Sequence, residues 1–260
     1  PEWREVVYRM LPVYPRSARP LDLFLREYPQ RWLLPVDRED RHWHVLGLFH
    51  WGRNRDVGGA WEPADGQPEA AREMDVDLAA AGVANAGTDV LALDAWDGTW
   101  EWVTGGHVRR TLDPRTGRVL VLHPRPSHPA LAGTTLHLLG GAVEVAGESW
   151  DAASGRLRVE LDTVAGRDVT AFVMDGGWPL ASARVASISD AAAGPVAEPV
   201  VDWRGGVAAV TFRATAARTR LELSFTEAQP REAVSCPAGS ALPGSLADKA
   251  AHLDRRVTSK

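Results

Sequence analysis

The segment HWHVLGLFHW (42–51) decides how the chain is read. Its side chains alternate, with Trp43, Val45, Phe49 and Trp51 on one face and Leu46 and Leu48 on the other. Apolar groups on both faces describe a strand covered on both sides, the interior member of a layered β structure.

Working outward, the same reading places strands at 74–80, 89–96, 99–103, 107–112, 118–124, 133–139 and 142–150. It continues with 156–162, 168–174, 181–188, 198–203, 206–213 and 218–226, and leaves 58–73 as a long polar loop. Gly-Gly pairs at 58–59, 105–106, 140–141, 176–177 and 205–206 punctuate these strands, as do Asp97-Gly98, Thr116-Gly117 and Ser154-Gly155. Short strands joined by tight turns predict an all-β fold, an antiparallel β-sandwich. The spacing of the Gly-Gly pairs is too uneven for a propeller or solenoid repeat.

The flanks differ. Residues 1–11 read as a helical leader, with Trp3, Val6, Val7, Met10 and Leu11 forming one apolar stripe. Pro12 and Pro15 end it, and 16–40 read as irregular, stopped by Pro20, Pro29 and Pro35. Residues 227–260 shift to Ala, Pro, Ser, Gly and charge, which reads as a flexible tail with a short helix capped at Ser245. The expected organisation is therefore a leader at 1–40, a sandwich at 41–226 and a tail at 227–260.

Composition narrows the function. Lys and Arg total 29 against 34 Asp and Glu, a net charge of −5, which argues against a nucleic-acid partner. No run approaches the roughly 20 apolar residues of a membrane-spanning helix. The single cysteine, Cys236, excludes a disulfide framework and a cysteine-based zinc site. The opening Pro1, in place of an initiator methionine, reads as the start of a piece of a longer protein. Eleven Trp outnumber five Phe and three Tyr together, which suits a thick sheet core or platforms for sugar rings.

Four groups of residues invite a chemical reading. His42 and His44, two apart on a strand, point the same way, with His50 further along; no Asp, Glu or Cys beside them completes a ligand set, so no metal site is expected. Asp75, Asp77, Asp94 and Asp97 are the carboxylates to weigh for glycoside hydrolysis, which needs two facing each other across a sugar. Asp97 stands in a turn, where aspartates bond their own backbone, and no catalytic pair is assigned. Trp96, Trp100 and Trp102 are the candidate sugar platforms, with core packing as the competing role. Neither a nucleophile elbow, a phosphate loop nor a dinucleotide fingerprint is present, and no cofactor is called for.

The stretch LPVYPRSARPLDLFLREYPQRWLLPV (11–36), followed by WHVLGLFHWG (43–52), resembles the junction after the catalytic barrel in glycoside hydrolases of the α-galactosidase superfamily, families 27 and 36 and their relatives. There a segment L-P-x-x-x-x-x-A-R-P-x-D-L-F leaves the barrel, and a strand ending L-F-N-W opens a C-terminal β-sandwich; here His50 stands in the Asn place. VLALDAWDGTW (90–100) resembles a later strand of the family, with Ala95 for its usual aromatic. VLVLHPRPSHPALAGTTLHLLGGAVEV (119–145) resembles its R-P-x-L-L-S-T-x-x-H-x-x-Q-G segment, with His137 and Gly141 matched and Gly140 in the Gln place. GRDVTAFVMDGGWP (166–179) resembles a further strand and turn, so the likeness runs from about residue 10 to 226.

The family's catalytic aspartates lie upstream, on barrel strands. The resemblance thus implies a non-catalytic module that supports and covers a catalytic barrel, its partner in cis or in trans. Residues 1–40 would be the last barrel helix and its exit segment. The alternative is a carbohydrate-binding module that uses Trp96, Trp100 and Trp102.

Overall fold

Alternation along the chain becomes antiparallel sheet throughout. The structure is a computed structural model that describes residues 2–25, 27–38, 41–52, 70–188 and 198–226; of Glu2 and Trp3 it describes the backbone alone. The expected tail at 227–260, Cys236 and most of the loop at 58–73 lie outside the described residues. The fold is all-β, with one helix among the described residues, α1 (Glu2–Met10). The chain packs into two compact units, one from Pro15–Pro124 and one from residues 2–14 together with 125–226.

The unit at 15–124 contains β1 (Arg19–Pro20), β2 (Arg31–Arg38), β3 (Arg41–His50), β4 (Arg72–Asp77), β5 (Val90–Asp94), β6 (Trp100–Val103), β7 (His107–Leu112) and β8 (Thr116–Pro124). Six of them form a sheet in the order β1-β2-β3-β8-β5-β6, and β4 pairs with β7 as a separate ribbon. The stretch 42–51 is indeed interior: β3 lies between β2 and β8, and Trp43, Val45, Leu46 and Leu48 are all buried. Leu33, Leu46, Leu48, Val90, Leu120 and Leu122 from the sheet share one apolar cluster with Met74, Val76, Val108 and Leu112 from the ribbon. The ribbon thus covers one face of the sheet, and its alternation supplies the second layer.

β2 corrects the reading of 16–40 as irregular. Pro35 lies within it, opposite His44 of β3. β1 reaches only as far as Leu33, so among the described residues no strand flanks Pro35 on its other side and its missing N–H breaks no ladder. The preceding loop is held by Asp22, buried, whose carboxylate accepts the backbone N–H groups of Gln30 and Arg31 at 3.1–3.2 Å.

The other unit contains β9 (Ala130–Thr134), β10 (Val145–Asp151), β11 (Arg156–Asp162), β12 (Asp168–Met174), β13 (Leu180–Ser187), β14 (Val200–Arg204), β15 (Val207–Arg213) and β16 (Arg218–Phe225). They form two four-stranded sheets, β10-β11-β16-β13 and β14-β15-β12-β9. Leu157, Val159 and Leu161 of β11 and Leu221 and Leu223 of β16 meet Val169, Ala171, Val173, Val210 and Phe212 of the facing sheet in one apolar cluster. This is a sandwich in which every second residue points inward. Trp150 and Trp178 pack against this core, edge to face at 5.1 Å, so part of the tryptophan excess is core. β9 lies upstream of its expected place at 133–139, because residues 135–144 turn, with positive φ at Gly140 and Gly141.

α1 belongs to this second unit. The carbonyl of Arg9 accepts the N–H of Leu138 at 3.0 Å, and Nε2 of His137 donates to the carbonyl of Pro12 at 3.1 Å. Glu5 pairs with Arg167, whose guanidinium lies 5.6 Å from the centre of the Tyr8 ring. Arg9 is 3% exposed, whereas Met10 is 53%, Val6 42% and Val7 39% exposed. Of the helix side chains that are described, Arg9 alone is buried, and Val6, Val7 and Met10 face outward.

Candidate functional site

The turn between β5 and β6 is built around Asp94. Its Oδ1 accepts the N–H groups of Trp96 at 2.9 Å and Asp97 at 3.1 Å, and Gly98 provides the positive φ that closes the turn. Arg118 reaches Asp97 Oδ2 at 2.5 Å and Asp94 Oδ2 at 3.7 Å. Burial raises the pKa of Asp94 against the pull of these backbone donors. Asp94 and Asp97 therefore meet on one arginine, as parts of a turn. Trp96 sits in this turn, while Trp100 and Trp102 share one face of β6, the last strand of its sheet; all three are half-buried. The structure groups Trp100 with Trp102 and sets Trp96 apart from their strand.

Asp75 and Asp77 stand on β4. Asp75 Oδ1 lies 2.9 Å from Nδ1 of His107 and its Oδ2 3.4 Å from Arg109; the His107 hydrogen bond lowers its pKa. Asp77 instead accepts the N–H groups of Ala79 and Ala80 and starts the next turn.

His42 and His44 do share a side of β3, with ring centroids 4.6 Å apart, edge to face. His42 Nδ1 bonds Asp37 Oδ1 at 2.5 Å, and Asp37 also pairs with Arg16. His44 is buried with Nδ1 unpartnered, and burial, assisted by the charge of His42, lowers its pKa to about 4. His50 is spent on local backbone: Nε2 donates to the Ala70 carbonyl at 3.0 Å, and Nδ1 accepts from Gly52 N at 3.1 Å. Among the described residues no group of three His, Cys, Asp or Glu is arranged to hold a metal ion.

A further concavity lies elsewhere, on the outer face of β10, β11 and β16. A depression of about 490 Å³ is lined by Gly147, Ser149, Arg158, Glu160, Arg220 and Glu222, with Glu148 beneath. Pairing puts Arg158 opposite Glu222 and Glu160 opposite Arg220. Arg158 Nε donates to Glu222 Oε1 at 3.2 Å, and Arg220 donates to Glu160 Oε1 through Nη2 at 2.8 Å and Nε at 3.2 Å. Glu148 turns inward and accepts the N–H of Leu131 at 2.8 Å. The sequence does carry a signal for this face. RLRVEL (156–161) and RTRLEL (218–223) are near copies, and run antiparallel they oppose arginine to glutamate.

No family model matches the chain, and no curated protein is detectably similar to it.

Proposed function

We propose that this chain is the non-catalytic β-sandwich module of a glycoside hydrolase of the α-galactosidase superfamily, supporting and covering a catalytic barrel. The ordered resemblances from residue 10 to 226 motivate the family. The observation that carries the role is the orientation of α1, which buries Arg9 and exposes Val6, Val7, Met10 and Leu11. An amphipathic helix normally hides its apolar stripe, and one that presents it is prepared for a partner. The segment that resembles the barrel exit behaves alike. Leu23, Phe24 and Leu25 project beside the buried Asp22, with Phe24 81% exposed at a φ of 72°. A positive φ at a bulky residue costs about 1–3 kcal/mol and needs a reason, which a docking contact supplies.

The test is co-expression with the barrel domain of a family 27 or 36 enzyme stripped of its own sandwich. The expected result is a complex with aryl α-galactosidase activity that Val6→Asp with Met10→Asp disrupts, and no turnover by the chain alone. Turnover by the chain alone that Asp94→Asn or Asp75→Asn abolishes overturns the reading.

A second reading, a carbohydrate-binding module, draws on Trp100 and Trp102 sharing one face of β6. It requires tryptophan fluorescence to shift when galactosides or α-glucans are added, and to lose that shift in Trp100→Ala.

A further inference from the structure

We infer that the outer face of β10, β11 and β16 is a binding site for a neutral oligosaccharide, recognised through its vicinal hydroxyls. This inference is independent of the docking role proposed for α1.

The depression, at about 490 Å³, falls within the roughly 300–1,000 Å³ of small-ligand sites. Its working groups are two crossed ion pairs, Arg158 with Glu222 and Arg220 with Glu160. Each carboxylate spends Oε1 on its arginine, and among the described residues Oε2 of both has no donor. Arg158 bonds only through Nε, which leaves both terminal nitrogens of its guanidinium to donate. Arg220 keeps Nη1. An acceptor and a donor therefore stand side by side twice, two residues or about 6.7 Å apart along the strands. A hydroxyl is both donor and acceptor, and adjacent hydroxyls on a pyranose match such a pair, each bond strengthened by the charge.

Charge balance selects the ligand. Among the lining groups two guanidiniums face two carboxylates, because Glu148 is turned toward Leu131, while Arg184 of β13 stands across from Glu222 and Asp151 of β10 lies within the field of Arg158. Each lining guanidinium is already paired with a carboxylate, so the site offers a simple ion little unpaired charge, yet is rich in charged hydrogen-bonding groups. A polyhydroxylated neutral chain satisfies it; a phosphate or an acidic sugar meets Glu160 and Glu222 at close range.

Gly147 makes the room. It follows the β-bulge at the start of β10, and a Cβ added there would meet nothing within 4 Å. The floor is therefore open without being a packing defect, and a larger side chain at this position fills the groove without straining the fold.

The experiment is titration of the folded chain with maltohexaose, cellohexaose and raffinose, followed by calorimetry and amide chemical shifts, with sodium sulfate and polygalacturonate as controls. The expected result is binding of at least one neutral oligosaccharide, with shifts confined to β10, β11 and β16. Gly147→Gln abolishes it, and Glu160→Ala weakens it about tenfold, as for one lost charge-assisted hydrogen bond. Unchanged circular dichroism of Gly147→Gln ties the loss to occlusion. Binding of sulfate or polygalacturonate alone overturns the proposal. So does saccharide binding that Gly147→Gln leaves intact, or a flat response to all three sugars.

Discussion

The backbone N–H of Leu138 bonds the carbonyl of Arg9 at 3.0 Å. A helix cannot satisfy its last carbonyls from within, and here the sandwich supplies the donor. The bond fixes the face on which α1 is seated, and with it the face that α1 presents.

That orientation inverts the usual mutational order. Arg9→Ala, at a buried position, is expected to cost about 1–3 kcal/mol. Met10→Asp, at an exposed apolar position, should stay within about 0.5 kcal/mol of the parent. Urea denaturation of the two variants decides it; a larger loss from Met10→Asp contradicts the seating of the helix.

Gly176 is irreplaceable for two reasons at once. Its φ is +59°, and a Cβ there would lie 2.3 Å from the carbonyl carbon of His128. Backbone cannot swing aside as a flexible side chain can. Gly176→Ala should destabilise by about 1–3 kcal/mol, read as a lowered urea midpoint with unchanged slope. Gly166→Ala, where φ is also positive but nothing lies within 4 Å, should cost less.

His44 sets an acid limb. Its native pKa of about 4 lies below its ordinary value of 6.5, so the unfolded chain takes up the proton first. Stability from this group is complete above pH 6.5 and is lost as pH falls toward about 4, by roughly 3 kcal/mol in all. His44→Leu should flatten the stability profile across that window. Parallel profiles for the two proteins would refute the assignment.

Glu144 acts in the opposite sense. It is buried, Thr134 donates to its Oε1 at 2.6 Å, and burial raises its pKa above the ordinary 4.5. The native state therefore holds this proton more tightly than the unfolded chain. Stability is greatest below pH 4.5 and declines as pH rises toward the raised native value. Glu144→Gln keeps the acceptor for Thr134 and removes the titration. Its advantage over the parent in thermal midpoint should widen as pH rises from 4.5; a constant difference would contradict the burial argument.

Local alternation made most strands legible. In RLRVELD (156–162) apolar residues recur at 157, 159 and 161, and β11 occupies those bounds. β7 and β12 likewise match their expected spans. β2 was hidden because proline reads as a stop, and only the shortness of β1 makes Pro35 tolerable. The leader was legible as a helix with an apolar stripe, whereas the burial of Arg9 depends on contacts with residues 137 and 138 far along the chain. The reading of 41–226 as one sandwich drew its span across both packed units. Strands of either unit alternate with the same period, and only long-range pairing, such as β11 with β16, assigns each to a sheet. The charged groove stayed out of view for a related reason. Each R-x-R-x-E run looks like a solvated strand face until register sets arginine against glutamate.

The placement of α1 also has a consequence for biosynthesis. Residues 2–14 join a unit whose remaining members begin at 125, so an entire second unit is translated between the helix and its seat. The ribosome releases residues 15–124 before any strand of β9 to β16 exists, and domains tend to fold in order of emergence. A nine-residue helix is marginal in isolation. Made before its seat, the helix is thus among the last of these elements to be locked, and it waits unseated while residues 15–124 emerge.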